Sequence, residues 1–153
     1  MDKKRLKQTV GEILEGGGFL KKGQTWYSCR PEVIGVLELQ KSDWADHYYL
    51  NIGFFIRSLD PSMEFPPERL CHLRYRADSI FDDLGASMDE MLSLGDSETD
   101  STRAERLKDL LTRRVQPLFG SVRTVSDLAS HAKAPWFLKG FVHVKARPLL
   151  GLS

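Results

Sequence analysis

The chain has almost no cysteine: Cys29 and Cys71 are the only two in 153 residues, and no CxxC spacing occurs. That excludes a disulfide framework of the small secreted kind and a zinc site built on cysteine pairs. Two reduced thiols in a cytoplasm are the expectation. Long apolar runs are missing too, with nothing near the roughly 20 residues needed to span a bilayer. No hydrophobic stretch follows the basic Met1–Leu6 opening, so no secretory signal is read there. A membrane is therefore not an expected partner. The chain also lacks an excess of either charge, with 22 Lys and Arg against 21 Asp and Glu and a net charge of +1. A nucleic-acid domain normally carries a strongly basic footprint, and this one does not.

The chemistry of a typical active site is equally thin. His47, His72, His131 and His143 are scattered without an HxxxH pair, so no metal is expected. Asp78, Asp82 and Asp83 lie close together but lack the glycine-turn spacing of a calcium loop. Gly16, Gly17 and Gly18 follow a helix and open a strand, the reverse of a phosphate-cradling loop. Cys71 and His72 are neighbours on an expected strand and point to opposite faces, Cys71 buried and His72 exposed, so they do not form a nucleophile–base pair. No catalytic residue and no cofactor are assigned.

What is present reads as one domain over residues 1–153, with an α+β architecture. Leu6, Val10, Ile13 and Leu14 recur at helical spacing over residues 2–15, ended by the three glycines. Strands are expected at 24–30, 33–41 and 47–57, separated by Pro31 and by a turn at Ser42–Asp46. Tyr48, Leu50, Ile52, Phe54 and Ile56 share one face of the third strand. His47, Tyr49, Asn51, Gly53, Phe55 and Arg57 share the other. In the second, Val33, Leu37 and Leu39 are apolar, with Glu38 and Gln40 opposite. Pro61, Pro66 and Pro67 make 59–69 a loop.

A fourth strand at 71–77 alternates Cys71, Leu73, Tyr75 and Ala77 with His72, Arg74 and Arg76. A short helical turn near Ser79–Leu84 and an irregular acidic stretch complete the first part. Asp78–Asp100 holds eight acidic residues and no basic one, whereas Ser101–Ser153 holds ten Lys and Arg against three acids. The acidic stretch is expected to lie along the basic helices. Thr102 and Glu105 form a capping-box pattern opening a helix with Leu107, Leu110, Leu111 and Val115 buried and Pro117 as its stop. Thr124 caps a shorter helix. The tail from Trp136 is expected to be helical, although Val142–Ala146 alternates like a strand.

The order of helix, meander, proline-rich loop and Cys71-His72-x-Arg74-x-Arg76 resembles the domain-of-unknown-function family 4304. Gly18-Phe19, Lys21–Gly23, Trp26, Gln40, Ser42, Tyr49, Asn51, Gly53, Cys71, His72 and Arg74 carry the likeness. The resemblance implies small bacterial proteins of α+β fold and brings no catalytic signature with it.

The expected fold is an N-terminal helix, a four-stranded antiparallel meander and C-terminal helices on one face. If the strands lie side by side, Gln40, Tyr49, Asn51, Arg57, His72, Arg74 and Arg76 project together from the other face, at a same-face spacing of about 6.8 Å along a strand. Such a face suits a protein partner, and a non-enzymatic adaptor, regulatory or toxin-neutralising module is the leading expectation. The alternative is a nucleic-acid or phosphate ligand held by the arginines. Tyr49 and Phe55 sit where an RNA-recognition sheet carries aromatics, but the basic-aromatic-glycine motif of that fold is absent. Strand order, oligomeric state and partner identity are left open.

Overall fold

The structure, a computed structural model, describes residues 1–95 and 98–153; Asp96 of the acidic stretch lies outside the described residues. Helix α1 (Lys3–Gly16) starts where the Asp2 side chain accepts from the Arg5 N–H at 2.8 Å. Leu6, Val10 and Leu14 bury its inner stripe, and Gly18 leaves it at a φ of 93° that favours glycine.

Six strands then form one sheet in chain order, every neighbour antiparallel: β1 (Leu20–Lys22), β2 (Thr25–Cys29), β3 (Val33–Lys41), β4 (Tyr48–Ile56), β5 (Leu73–Arg76) and β6 (Phe141–Val142). The four-stranded expectation is corrected to six. Both additions are edge strands of two or three residues, too short for alternation to register. The second of them corrects the helical reading of the tail: between Trp136 and Val144 the chain runs through turns into β6, which pairs with β5. The Tyr75 hydroxyl holds that tail by donating to the Phe137 carbonyl at 2.6 Å.

The helical turn expected near Ser79–Leu84 is present as α2 (Ala77–Ile80) and a 3₁₀ turn (Asp82–Leu84), and the stretch after it, expected to be irregular, holds α3 (Ala86–Met91). Helix α4 (Asp100–Leu110) begins a turn earlier than the Thr102/Glu105 reading. Thr99 is the cap, its hydroxyl accepting from the Thr102 N–H at 3.1 Å. Pro117 does not stop the helix. A π turn (Leu111–Val115) widens the coil just ahead of it, and Pro117 falls in the first turn of α5 (Gln116–Gly120). A proline lacks only a donor there, so it is tolerated. Helix α6 (Val125–Ser130) carries a full Thr124/Asp127 capping box.

The helices cover the face bearing Val33, Leu37, Leu39, Tyr48, Leu50, Ile52, Phe54, Ile56, Leu73 and Tyr75, which form the main core with Leu6, Val10, Trp26, Leu107, Leu111 and Phe119. The acidic and basic segments do meet. Asp83 pairs with Arg114 at 2.7 Å, Asp82 with Lys139 at 3.1 Å, and Glu98 with Arg103 and Arg106 at 3.3 and 2.9 Å.

The opposite face is not one solvated surface. Tyr27, Ile34, Val36, Phe55 and Cys71 form a second, smaller cluster there, with Met63 against it. The proline-rich segment between β4 and β5 supplies Met63, and Phe65 packs edge-on to Tyr27 at 5.4 Å. Cys71 therefore sits on this outer side rather than with Leu73 and Tyr75. Its burial raises the thiol pKa far above the ordinary value. The absence of a side chain at Gly53 leaves room for it: a Cβ there would lie 2.7 Å from the Cys71 sulfur.

Candidate functional site

Strand register decides what the outer face brings together. Across β1 to β5, Lys22, Thr25, Glu38, Asn51 and Arg76 form one row. Leu20, Tyr27, Val36, Gly53 and Arg74 form the next, continued by Phe141 of β6. Gln40 pairs with Tyr49 one step nearer the β3–β4 turn. Half of the face thus lies under the proline-rich segment, and the other half is open.

The open half is a shallow basin of about 360 Å³, lined by Gln40, Asn51, Glu68, Arg74, Arg76, Lys139 and Phe141 among others. Asn51 donates from Nδ2 to Gln40 Oε1 at 2.8 Å. The Arg76 guanidinium carbon lies 3.6 Å from the Tyr49 ring centre, a cation–π contact against the ring face. Arg74 gives a two-pronged pair, Nε to Glu68 Oε1 at 3.1 Å and Nη2 to Oε2 at 3.2 Å. Glu68 is only 4% exposed, so this pair ties the proline-rich segment to β5. Burial, and after it the charge of Glu68, holds the Glu38 carboxyl above the usual range.

Five of the seven residues expected on this face line or flank the basin: Gln40, Tyr49, Asn51, Arg74 and Arg76. Arg57 and His72 do not join them. Arg57 Nε donates to the Arg30 carbonyl at 2.6 Å, at the far end of the strands. His72 is buried rather than exposed. Its ring stacks near Phe55 and His143 at 4.5 and 5.8 Å, and its Nδ1 accepts from the Ile56 N–H at 2.9 Å. Its ring keeps to the outer side with Phe55, as alternation requires, but Phe55 and His143 of the C-terminal tail cover it.

That hydrogen bond requires an unprotonated Nδ1. Burial first, and then the charge of His143, hold the His72 pKa below its ordinary 6.5; Lys145 acts in the same direction and Asp60 opposes. The unfolded chain therefore takes this proton more readily than the folded one. The stability His72 contributes is complete above about pH 6.5 and declines as pH falls below it. Urea unfolding followed from pH 7.5 to pH 5 is expected to show that decline, with a shallower slope in His72→Gln. Equal slopes would assign the pH dependence elsewhere.

The sequence reading missed Trp44, Glu68, Lys139 and Phe141. Trp44 is 95% exposed at the tip of the β3–β4 hairpin. The tip itself is well braced. Ser42 Oγ accepts from the Trp44 and Ala45 N–H groups at 3.2 Å each. Lys41 Nζ donates to the Ser42 and Ala45 carbonyls at 3.0 and 2.7 Å. A tryptophan inside a Ser42–Asp46 turn was a signal of exposure available from the sequence alone. Glu68 carried no such signal because it lies in the aperiodic proline-rich loop, six residues before Arg74. Lys139 and Phe141 carried none because they reach the basin from the distant C-terminal tail.

The family model of the domain of unknown function DUF4304 matches residues 10–121, from within α1 to just past α5. The chain belongs to the DUF4304 family. The matched region carries the first five strands and all of the basin except Lys139, Gly140 and Phe141, which the C-terminal tail adds. No curated protein and no solved structure matches this DUF4304 chain. Among the described residues no helix is long and apolar enough to cross a membrane.

Proposed function

We propose that this DUF4304 protein is a non-enzymatic protein-binding module of a bacterial cytoplasm, in an adaptor, regulatory or toxin-neutralising role. It meets its partner with the open half of the outer sheet face and the adjoining hairpin tip. The observation that carries this reading is Trp44, 95% exposed on a turn held by Ser42 and Lys41. A large apolar ring held out on a rigid turn loses little entropy on docking, and tryptophan, tyrosine and arginine dominate binding energies at protein interfaces. Trp44, Tyr49 and Arg76 supply all three types at one end of β3 and β4. The unpaired thiols of Cys29 and Cys71 suit a reducing compartment.

The acidic segment is a weaker docking surface, since Asp82, Asp83, Glu90 and Glu98 face cations of this same chain. Nucleic acid is disfavoured by the same kind of accounting. Arg57 is engaged by a carbonyl and Arg74 by Glu68, and Glu38 adds a negative charge to the face.

The test is purification of the tagged chain from its own host with nuclease present, beside Trp44→Ala and Arg76→Glu variants. Neither side chain is packed in the core, so Trp44→Ala is expected to stay within about 0.5 kcal/mol of the parent in stability and Arg76→Glu, which gives up the contact with Tyr49, within about 1–2 kcal/mol. A stoichiometric protein that survives nuclease and is lost with either variant is the expected result. A companion indifferent to both variants, or none at all, would sink the reading. A nuclease-sensitive companion would replace it with nucleic acid.

A further inference from the structure

Among the cations of the basin, Arg76 alone makes no ion pair with a described carboxylate. Arg74 is taken by Glu68, and Lys139 by Asp82 at 3.1 Å. Stacking on Tyr49 uses the flat face of the Arg76 guanidinium and leaves its N–H edge to solvent. Beside it, Asn51 satisfies the Gln40 carbonyl oxygen, so the Gln40 Nε2 group is left with donors and no described partner. Both oxygens of Glu68, the carboxylate lining the basin, already accept from Arg74. The open edge of the basin is therefore rich in donors and poor in acceptors, with half-exposed Phe141 as an apolar lip.

We infer that the basin binds an oxyanion, a carboxylate or a phosphate group, gripped by the Arg76 fork with Gln40 Nε2 as a second donor. This deepens the partner-binding reading and rests on it. The group belongs to an acidic side chain of a peptide segment, with Phe141 against the segment's apolar part. The size and charge of the basin suit one such group rather than a polyanion. At about 360 Å³ it is at the small end of ligand pockets, and Glu38 stands two strands from Arg76 in the same row. Asp78 and Asp89 line the adjoining crevice on the other side of Arg76, which confines the anion to the basin side.

The experiment is a nitrogen–proton NMR titration of the full chain at low salt, following backbone amides, the Gln40 side chain and the arginine Nε–H signals. One arm uses inorganic phosphate and the other a blocked peptide with two adjacent glutamates. Saturable shifts centred on Arg76 and Gln40 are expected with the peptide. In Arg76→Gln, binding should weaken roughly tenfold or more, as loss of a charge-assisted hydrogen-bonded pair implies. Gln40→Ala should weaken it less. Saturation by phosphate but not by the peptide would overturn the peptide source and leave a free small anion as the ligand. No saturable shift in either arm, or shifts unchanged in Arg76→Gln, would overturn the oxyanion site itself. Should partner capture still depend on Trp44 and Arg76 in that case, the protein-binding reading survives and the oxyanion inference alone fails.

Discussion

Phe119→Ala is expected to destabilise the protein by about 3–5 kcal/mol, the usual cost of emptying a large aromatic site in a core. Phe119 is buried, with its ring 5.2 Å from Phe19 edge-on and 5.4 Å from Phe54. It therefore joins the turn after α1, the central strand β4 and the helix after the π turn. Its ring also occupies the space that a side chain on Gly35 of β3 would need. Gly35→Val should accordingly cost about 1–3 kcal/mol or more, by overpacking rather than by cavity formation. The two losses are expected to be non-additive, because the truncated ring of Phe119→Ala makes room for the valine. Urea unfolding of the two single variants and the double variant measures this. Strict additivity would show that the ring and the Gly35 strand do not share that space.

The second large effect concerns Arg74. Arg74→Ala leaves the Glu68 carboxylate, 4% exposed, without its two-pronged partner. Breaking a fully buried pair from one side costs roughly 3–5 kcal/mol. Arg74 itself is 39% exposed, so water moderates the loss and roughly 2–3 kcal/mol is expected. The proline-rich segment should loosen first, because Glu68 is its tie to β5. Amide exchange there, with the Cys71 thiol becoming reactive, would report the loosening before global unfolding. Removing the stranded carboxylate as well, in Glu68→Gln/Arg74→Met, should recover much of the loss. A cost below about 1 kcal/mol for Arg74→Ala would mean that Glu68 simply turns into water. The contrast with Arg76→Glu is the useful one. Two arginines on one face of one strand divide into a structural tie and a free cation.

That division was invisible in the sequence, where Arg74 and Arg76 are equivalent by alternation. Glu68 stands six residues before Arg74, just after a loop whose path depends on three prolines and on the small cluster beneath it. His72 was expected to be exposed for a related reason. Alternation gives its face, which it keeps beside Phe55, but the tail residue that helps to cover it, His143, comes from far along the chain. The capping of α4 and the passage of the helix through Pro117 turned on a choice among local hydrogen bonds. Thr99 and Thr102 are both competent caps, and in the fold Thr99 takes the role, accepting from the Thr102 N–H.

What the sequence determined by itself is the part governed by period and by local chemistry. The apolar row from Tyr48 to Ile56, the stripe of α1 and the Thr124 cap each follow from spacing within one segment, and so did the α+β class. Family membership was legible because it rests on residue identities at short spacings between Gly18 and Arg74, within the region the family model matches. Tertiary structure decided everything that joins distant segments. Long residue separations carry no period, so edge strand β6, the cluster under the proline-rich segment and the contributions of Lys139 and Phe141 to the basin had no local signature. Strand β1 is a local hairpin partner of β2 and is simply too short, at three residues, for alternation to show. Strand register then settled which polar side chains became neighbours, placing Glu38, Asn51 and Arg76 in one row and leaving Arg57 at the far end.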